Sequence, residues 1–219
     1  MPTLTLLSSA VFQYTGSGAL LSGSVRIQAW GAGGHGAASG VGGSGGAYAE
    51  GTFLLNSASY SASIGIAGSA NLNTWIVSGS GGAVIVRAPG GSSLGTVTHQ
   101  PALFSGSITY VGGQGGADFV GYASNNGSGG GAAAGSTAIG ADGASGYYAS
   151  REAGASGGAG VNGAGSGGTG SFYNAGAGNN RIYSAGAGTV PGGGGGGNFD
   201  SQGADVSAEG ANGMIILTY

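Results

Sequence analysis

The residues best suited to chemistry are aromatic side chains that stand between glycine runs in the second half of the sequence, beside amide, guanidinium and carboxylate groups. Rigid aromatic rings with Asn, Asp and Arg around them are typical of binding surfaces, including those on which a ring stacks against the face of a sugar. Alternatively, the same rings seal the glycine-rich region or fill contacts between subunits, because aromatic side chains bury the most apolar area. The candidate binding residues are Tyr147, Tyr148, Arg151, Phe172, Tyr173, Asn174, Arg181, Tyr183, Phe199 and Asp200.

A Gly-x-Gly-x-x-Gly pattern at Gly31, Gly33 and Gly36 imitates a dinucleotide-binding fingerprint, and Glu50 provides an acidic residue further along the chain. That chemistry requires a helix whose N-terminus faces the pyrophosphate. The residues that follow, 37–46, include five glycines and predict no stable helix. We therefore interpret the pattern as part of a glycine tract and expect no nucleotide cofactor.

Neither a metal site nor a catalytic site is predicted. His35 and His99 are the only histidines, and each lacks a second ligand two or four residues away. Asp142 and the other aspartates of the glycine-rich half are isolated among Gly, Ala and Ser, so a cation held by oxygen ligands stays open, with solvated turn residues as the simpler interpretation. No nucleophile elbow lies in a strand–turn–helix setting. We predict a protein that is not an enzyme and that has no metal and no other cofactor.

The composition excludes several classes of partner. The chain has 57 glycines in 219 residues, four Arg, no Lys, seven carboxylates and a net charge of −3. It lacks the clustered positive charge that nucleic acid or an anionic membrane requires, and no apolar run reaches the roughly 20 residues of a membrane span. It has no cysteine for disulfides, and its N-terminus lacks the basic segment of a signal peptide. Because Pro and charges are scarce while aromatics are present, we expect a folded chain.

Short β-strands occupy the first half of the sequence and its last residues. Residues 24–30 alternate polar and apolar side chains, which directs Val25, Ile27 and Ala29 toward a core and Trp30 outward or toward a second layer. No stretch has the 3.6-residue period and the caps of a helix. The predicted fold is therefore all-β, an antiparallel sandwich or jelly-roll with essentially no α-helix. Further strands are predicted at residues 11–14, 47–55, 60–66, 83–87, 96–98, 107–111 and 214–219.

From residue 112 onward the β pattern fades and glycine often recurs at every third position. An extended left-handed helix has three residues per turn, so this period leaves one edge without side chains, against which neighbouring backbones can pack. Proline is too scarce for collagen. We predict a bundle of polyglycine-II helices, residues 112–213, inserted into a β-sandwich of residues 1–111 and 214–219, with N–H and C=O groups paired between helices. The period is seen at Gly40, Gly43 and Gly46, at Gly140, Gly143 and Gly146, and at Gly154, Gly157, Gly160 and Gly163.

Two strand-and-glycine segments carry a resemblance to a known family. Residues 25–34, a strand that runs into Gly-Ala-Gly-Gly, and residues 45–53 resemble the glycine-rich domain of phage tail and virion surface proteins, and residues 210–219 resemble its last strand. The resemblance spans nearly the whole chain and implies a jelly-roll-like sandwich that carries polyglycine-II helices, such as those in the adhesin tips of some phage tail fibres. A similar fold in the extracellular glycine-rich region of anaplastic lymphoma kinase has cysteines, which this chain lacks.

This resemblance implies a non-enzymatic protein of the virion surface, a phage tail-fibre tip or a capsid decoration, whose loops bind the host cell. The implied partners are other virion proteins and a host surface glycan or outer-membrane protein, with the ten candidate residues as the receptor-binding set. The alternative is a purely structural subunit of a coat, filament or surface lattice, which the low charge favours. A homo-oligomer such as a trimer is compatible with both. An ice-binding bundle ranks last, because Thr is sparse after Thr98.

Overall fold

The computed structural model describes residues 2–13, 24–37, 40–55, 59–79, 82–93, 106–117, 127–146, 155–174, 181–197 and 208–219. These stretches contain eleven β-strands and no α-helix. The strands are β1 (Thr3–Leu6), β2 (Ala10–Gln13), β3 (Ser24–Trp30), β4 (Tyr48–Leu54), β5 (Ser59–Ser63), β6 (Thr74–Ser78), β7 (Val84–Ala88), β8 (Ile108–Tyr110), β9 (Phe172–Asn174), β10 (Arg181–Tyr183) and β11 (Met214–Thr218).

Two antiparallel sheets hold nine of these strands. The five-stranded sheet has the order β1-β11-β3-β4-β8, which sets the first and last strands side by side, and the four-stranded sheet has the order β2-β5-β6-β7. A short third sheet pairs β9 with β10. Every strand pair is antiparallel. The prediction of an all-β, antiparallel fold without α-helix is confirmed for the described part of the chain.

The two larger sheets share one apolar core. On β3, Val25, Ile27 and Ala29 are buried, as the alternation predicts. They belong to the same cluster as Ile76 and Val86 of the four-stranded sheet, so the inward faces of both sheets contribute. Burial of this apolar surface, at about 25 cal/mol per Å², is the main force that holds the sheets together.

The predicted and the observed strands differ in two respects. The strand predicted at residues 96–98 falls outside the described residues. Conversely, β1, β6, β9 and β10 are absent from the predicted strands. The short β9 and β10 stand between glycine-rich stretches, where no alternation is visible.

The glycine-rich chain runs in tracts that hydrogen-bond to one another with a period of three residues. In the central tract, residues 127–135, three interleaved sets of N–H groups each donate to a different neighbouring tract. Within each set, successive donor residues are three positions apart in the sequence, and so are the residues whose carbonyls accept the hydrogen bonds. The N–H groups of residues 128, 131 and 134 donate to the carbonyls of 40, 43 and 46; those of 127, 130 and 133 donate to 171, 168 and 165; and those of 129, 132 and 135 donate to 144, 141 and 138, with N···O distances of 2.8–3.0 Å.

The carbonyl groups of the central tract accept hydrogen bonds from three further tracts. The tract therefore has hydrogen-bonded neighbours on all sides, and its approach to them leaves no room for side chains. A Cβ added at Gly129, Gly130 or Gly131 would lie 2.0–2.2 Å from a backbone oxygen, which explains why glycine occupies these positions. The accepted bonds come from residues 113 and 116, from residue 158, and from residues 194 and 197.

Tracts before and after residue 112 belong to one hydrogen-bonded assembly. Residues 31, 34 and 37 donate to the carbonyls of 47, 44 and 41, while residues 33 and 36 donate to 211 and 208. Residues 42 and 45 donate to 116 and 113 in the same way. The predicted division of the chain at residues 111 and 214 stays a prediction.

Candidate functional site

The glycine tracts have two ends, one of which joins the five-stranded sheet. Tracts start or finish beside Trp30, Tyr48, Tyr110 and Met214, and these residues are neighbours in the sheet register. We call this the sheet end. Short turns near residues 136–138, 162–163 and 190–192 also lie at this end, as backbone hydrogen bonds beside them show. The N–H of residue 133 donates to the carbonyl of 165 and that of 165 to 191, while the N–H of 134 donates to 46 and that of 46 to 192.

At the opposite end, which we call the far end, five connecting segments leave the tracts. They are residues 38–39, 118–126, 147–154, 172–183 and 198–207. The described residues that flank these segments are joined by backbone hydrogen bonds, so all five segments are rooted side by side. The N–H···O bonds are 127 to 171 at 2.8 Å, 171 to 197 at 3.1 Å, 128 to 40 at 2.8 Å, 36 to 208 at 3.0 Å, 170 to 155 at 2.9 Å and 116 to 129 at 2.8 Å.

Half of the predicted binding residues belong to two of the far-end segments and lie outside the described residues. Tyr147, Tyr148 and Arg151 belong to segment 147–154, and Phe199 and Asp200 belong to segment 198–207. The roots of both segments are nonetheless described and lie at the far end.

The other five predicted residues lie on β9 and β10, whose backbones form a hairpin-like antiparallel pair at the far end. The structure thus brings together two sequence clusters that a run of glycine, alanine and asparagine separates. The contribution of their side chains to a common surface stays a prediction. The Cα partners are Phe172 with Tyr183, Tyr173 with Ile182, and Asn174 with Arg181.

One far-end segment is missing from the predicted set. Residues 118–126 contain Phe119, Tyr122 and two asparagines, the same residue types as the predicted clusters, and the segment is rooted between Ala117 and Gly127. The signal that could have found it is its interruption of the glycine tracts, which it shares with the other segments.

At the sheet end, three aromatic rings attach the tracts to the five-stranded sheet. Trp30 and Tyr48 have ring centroids 4.9 Å apart, and Tyr48 stacks on Tyr110 at 6.4 Å. Trp30 Nε1 donates a hydrogen bond of 3.0 Å to the carbonyl of Ala134 in the central tract, and Ala133 packs in the same buried cluster. The second layer predicted for Trp30 is therefore the glycine-rich assembly.

An ion pair continues this cluster along the outer face of the sheet. Arg26 donates from Nε to Glu50 Oε1 at 2.6 Å and from Nη2 to Oε2 at 2.8 Å. Gln28 donates to the Tyr48 hydroxyl at 2.8 Å, and that hydroxyl donates to Glu50 Oε2. The Arg26 hydrogen bonds hold the pKa of Glu50 below its usual value, while burial raises the pKa of Tyr48. Because the pKa of Glu50 is lowered and that of Tyr48 is raised, neither group exchanges its proton near neutral pH, and the charges of the cluster stay fixed.

A cleft of about 430 Å³ opens at the other end of β4, away from the glycine tracts. Among the residues that the structure describes, its lining combines aromatic and aliphatic side chains with a single serine hydroxyl and contains no charged group. The cleft therefore offers nothing to orient an ionic ligand. It is lined by Phe53, Leu54, Leu55, Tyr60, Ser78, Gly79 and Ile85.

The candidate cation ligand Asp142 has a structural role in the described part of the chain. Asp142 accepts a hydrogen bond of 2.7 Å from the Gln114 N–H and so joins two tracts. In the described stretches, no three His, Cys, Asp or Glu side chains are grouped so that they could hold a metal ion. The same stretches contain no helix with the length and apolar character needed to cross a membrane.

In comparisons with known proteins, no protein-family model matches the sequence, and no curated protein matches it significantly.

Proposed function

We propose that the glycine tracts are polyglycine-II helices carried on a β-sandwich of jelly-roll type. The support is the three-residue period of the hydrogen bonds, since a helix with three residues per turn repeats each N–H direction at every third residue. Six neighbouring tracts around residues 127–135 are what a hexagonal bundle of such helices requires. A diffraction or cryo-EM density map that gave these tracts β-strand or α-helical dihedral angles would overturn this part of the proposal.

We infer further that the protein is a non-enzymatic virion surface protein, a phage tail-fibre tip or a capsid decoration, that binds the host surface through its far end. The observation that carries this proposal is that five connecting segments are rooted side by side on tracts whose backbones are paired. Segments held by such a base lose little conformational freedom when they engage a receptor, which favours binding.

The distribution of residue types also favours the far end as the receptor-binding surface. The tracts consist mostly of Gly, Ala and Ser, whereas the four longer far-end segments contain aromatic side chains together with amide, guanidinium or carboxylate groups. A host glycan or an outer-membrane protein is the partner that suits such a surface. The sheet end would then face other virion proteins.

A second candidate, a structural subunit of a coat, filament or lattice, is favoured by one observation at the sheet end. Ile139, Val161 and Val190 lie on neighbouring turns there, with exposed fractions of 62%, 37% and 55%. Exposed apolar side chains that lie close together mark protein–protein contacts more often than free surface. In a homo-oligomer, including a trimer, these turns would form the contact.

A pair of matched variants separates the two candidates. The far-end variant changes Tyr147 and Tyr148 to Ala, and the sheet-end variant changes Ile139 and Val190 to Ser. Binding of the labelled protein to a panel of bacterial cells is measured by flow cytometry, and its mass in solution by sedimentation. The adhesin proposal expects that only the far-end variant loses cell binding.

The opposite pattern would support the structural subunit. In that case the unmodified protein forms regular assemblies, the sheet-end variant is a monomer, and the far-end variant still assembles. Cell binding that survives both the Tyr147/Tyr148 variant and a second variant with Phe172 and Tyr173 changed to Ala would refute the far-end receptor site.

A further inference from the structure

The outer face of the four-stranded sheet carries a cation–aromatic pair that the proposed function does not use. Arg87 on β7 lies opposite Trp75 on β6, and its guanidinium carbon is 5.9 Å from the centre of the indole ring. Their strand neighbours Ile76 and Val86 are fully buried in the core, so Trp75 and Arg87 point to the other face of the sheet. Both side chains are half-buried and thus remain accessible to a ligand.

The charge of Arg87 has no acidic partner in the described stretches. The ion pair found there joins Arg26 to Glu50, and the four strands of this sheet contain no Asp or Glu. The Nε of Arg87 is buried and has no hydrogen-bond acceptor among the residues that the structure describes. Because arginine is cationic in proteins, the guanidinium group carries a positive charge beside the indole ring that no carboxylate of the described residues offsets. Its planar geometry suits a carboxylate that accepts two parallel hydrogen bonds.

Small polar side chains border the other side of the indole ring. Ser63 on β5 lies opposite Trp75 in the register, and Asn71 Nδ2 donates to the Ser63 hydroxyl at 3.3 Å. Further along β5, Ser59 and Ser61 share the outward face with Ser63. These short side chains place hydroxyl and amide groups beside the indole on this side.

We propose that Trp75, Arg87, Ser63 and Asn71 form a binding site for a carboxylate-bearing sugar, such as a uronic acid unit of a polysaccharide. The apolar face of the sugar ring stacks on the side of the indole that Ser63 borders, because Arg87 lies over the opposite side, and the carboxylate reaches past the edge of the ring to Arg87. Its carboxylate accepts hydrogen bonds from Arg87, and its hydroxyl groups exchange hydrogen bonds with Ser63 and Asn71. The site is on the sheets and does not rest on the function proposed for the far end.

The test is an NMR titration with a trimer of galacturonic acid and, as its neutral counterpart, the trimer methyl ester. The chain has two tryptophans, so two indole N–H signals report separately: Trp75 at the site and Trp30, which is 3% exposed, as the internal reference. We expect the acid to shift the Trp75 signal saturably and to leave Trp30 unchanged. The ester should bind about tenfold more weakly, as expected for the loss of one charge-assisted contact.

Two variants test whether the charge of Arg87 contributes to binding and whether the effect is specific to this site. Arg87→Gln should weaken binding of the acid about tenfold and bring it to the level of the ester. The control Val11→Thr changes an exposed residue on edge strand β2 of the same sheet and should bind like the original protein. The proposal is overturned if the acid produces no saturable shift, if acid and ester bind equally, or if a folded Arg87→Gln variant binds as before.

Discussion

The substitution Gly130→Ala adds one methyl group at the centre of the glycine-rich assembly. An added Cβ would lie 2.2 Å from the carbonyl oxygen of Gly194, whereas ordinary contact begins near 3.4 Å. The tract of residues 191–197 therefore has to retreat by about 1.2 Å, the difference between these distances. Only backbone faces the new methyl group, so no flexible side chain can move aside to accommodate it.

The cost follows from the hydrogen bonds that this retreat disturbs. Gly168 donates to the Gly194 carbonyl, Gly194 donates to Gly131, and Gly43 donates to Gly195, at 2.8, 2.9 and 2.8 Å. A buried backbone group that loses its partner costs about 1–3 kcal/mol. We expect the free energy of unfolding to fall by about 3–5 kcal/mol for the three bonds together. Alanine restricts the unfolded chain more than glycine does, but the resulting gain of about 0.4–1 kcal/mol is too small to offset the loss.

Urea denaturation followed by circular dichroism measures this effect. The matched control is Ala187→Gly, at an exposed position of the tract of residues 184–189, where we expect a change of no more than about 1 kcal/mol. A Gly130→Ala variant whose midpoint and slope match those of the control would refute the close packing of the tracts. A variant that unfolds during purification, while the control is stable, would agree with the prediction.

Three further substitutions test individual side-chain contacts of the tracts and of the five-stranded sheet by the same urea assay. Ser128→Ala removes the hydroxyl that accepts a 2.7 Å hydrogen bond from the Gly42 N–H and should cost about 1–3 kcal/mol; no change would mean that the hydroxyl is dispensable. Trp30→Phe keeps a ring but loses the bond to the Ala134 carbonyl, so a loss of about 1–2 kcal/mol is expected, and an unchanged midpoint would contradict that role. Glu50 has a lowered pKa in the folded protein, so its ionisation stabilises the fold above its ordinary value of 4.5, and this stability is lost as the pH falls below that value. Glu50→Gln should therefore be less stable at neutral pH and show a flatter decline on acidification, whereas an equally steep decline would assign it to other groups.

Several strands of the fold could be predicted because their side chains alternate, but the five-residue strand β6 was not among them. The pattern around Val25, Ile27 and Ala29 identified a strand and its buried face, and the closing strand was equally visible from its apolar run. The partners of the glycine tracts could not be predicted, because glycine has no side chain that distinguishes one neighbour from another. The contact of Trp30 with Ala134, 104 residues apart, illustrates this difficulty.

The candidate site was predictable in its parts and not in its assembly. Sequence reasoning found the aromatic clusters, since each interrupts a glycine tract. The common location of the described roots of these segments depends on the alternating direction of the tracts, which the turns at the sheet end decide. One of those turns was readable, because Asn162 and Gly163 have φ angles of 48° and 80° and form the Asn-Gly pair that favours such conformations. The turn near residue 136 has no comparable signal.

The two ends of the tracts differ in how much change each of them tolerates. Turns at the sheet end are short, and their neighbours are tied to adjacent tracts by backbone hydrogen bonds. The far-end segments range from two to twelve residues in length, so we expect changes of length or side chain there to leave the bonds within the tracts intact. A tract glycine such as Gly130 admits no side chain, whereas loop insertions at exposed positions cost little free energy. Insertion of two Ser residues within segment 147–154 should therefore leave the urea midpoint nearly unchanged, while the same insertion within residues 127–135 should abolish folding. If both insertions were tolerated equally, the tracts would not be the element that positions the far end.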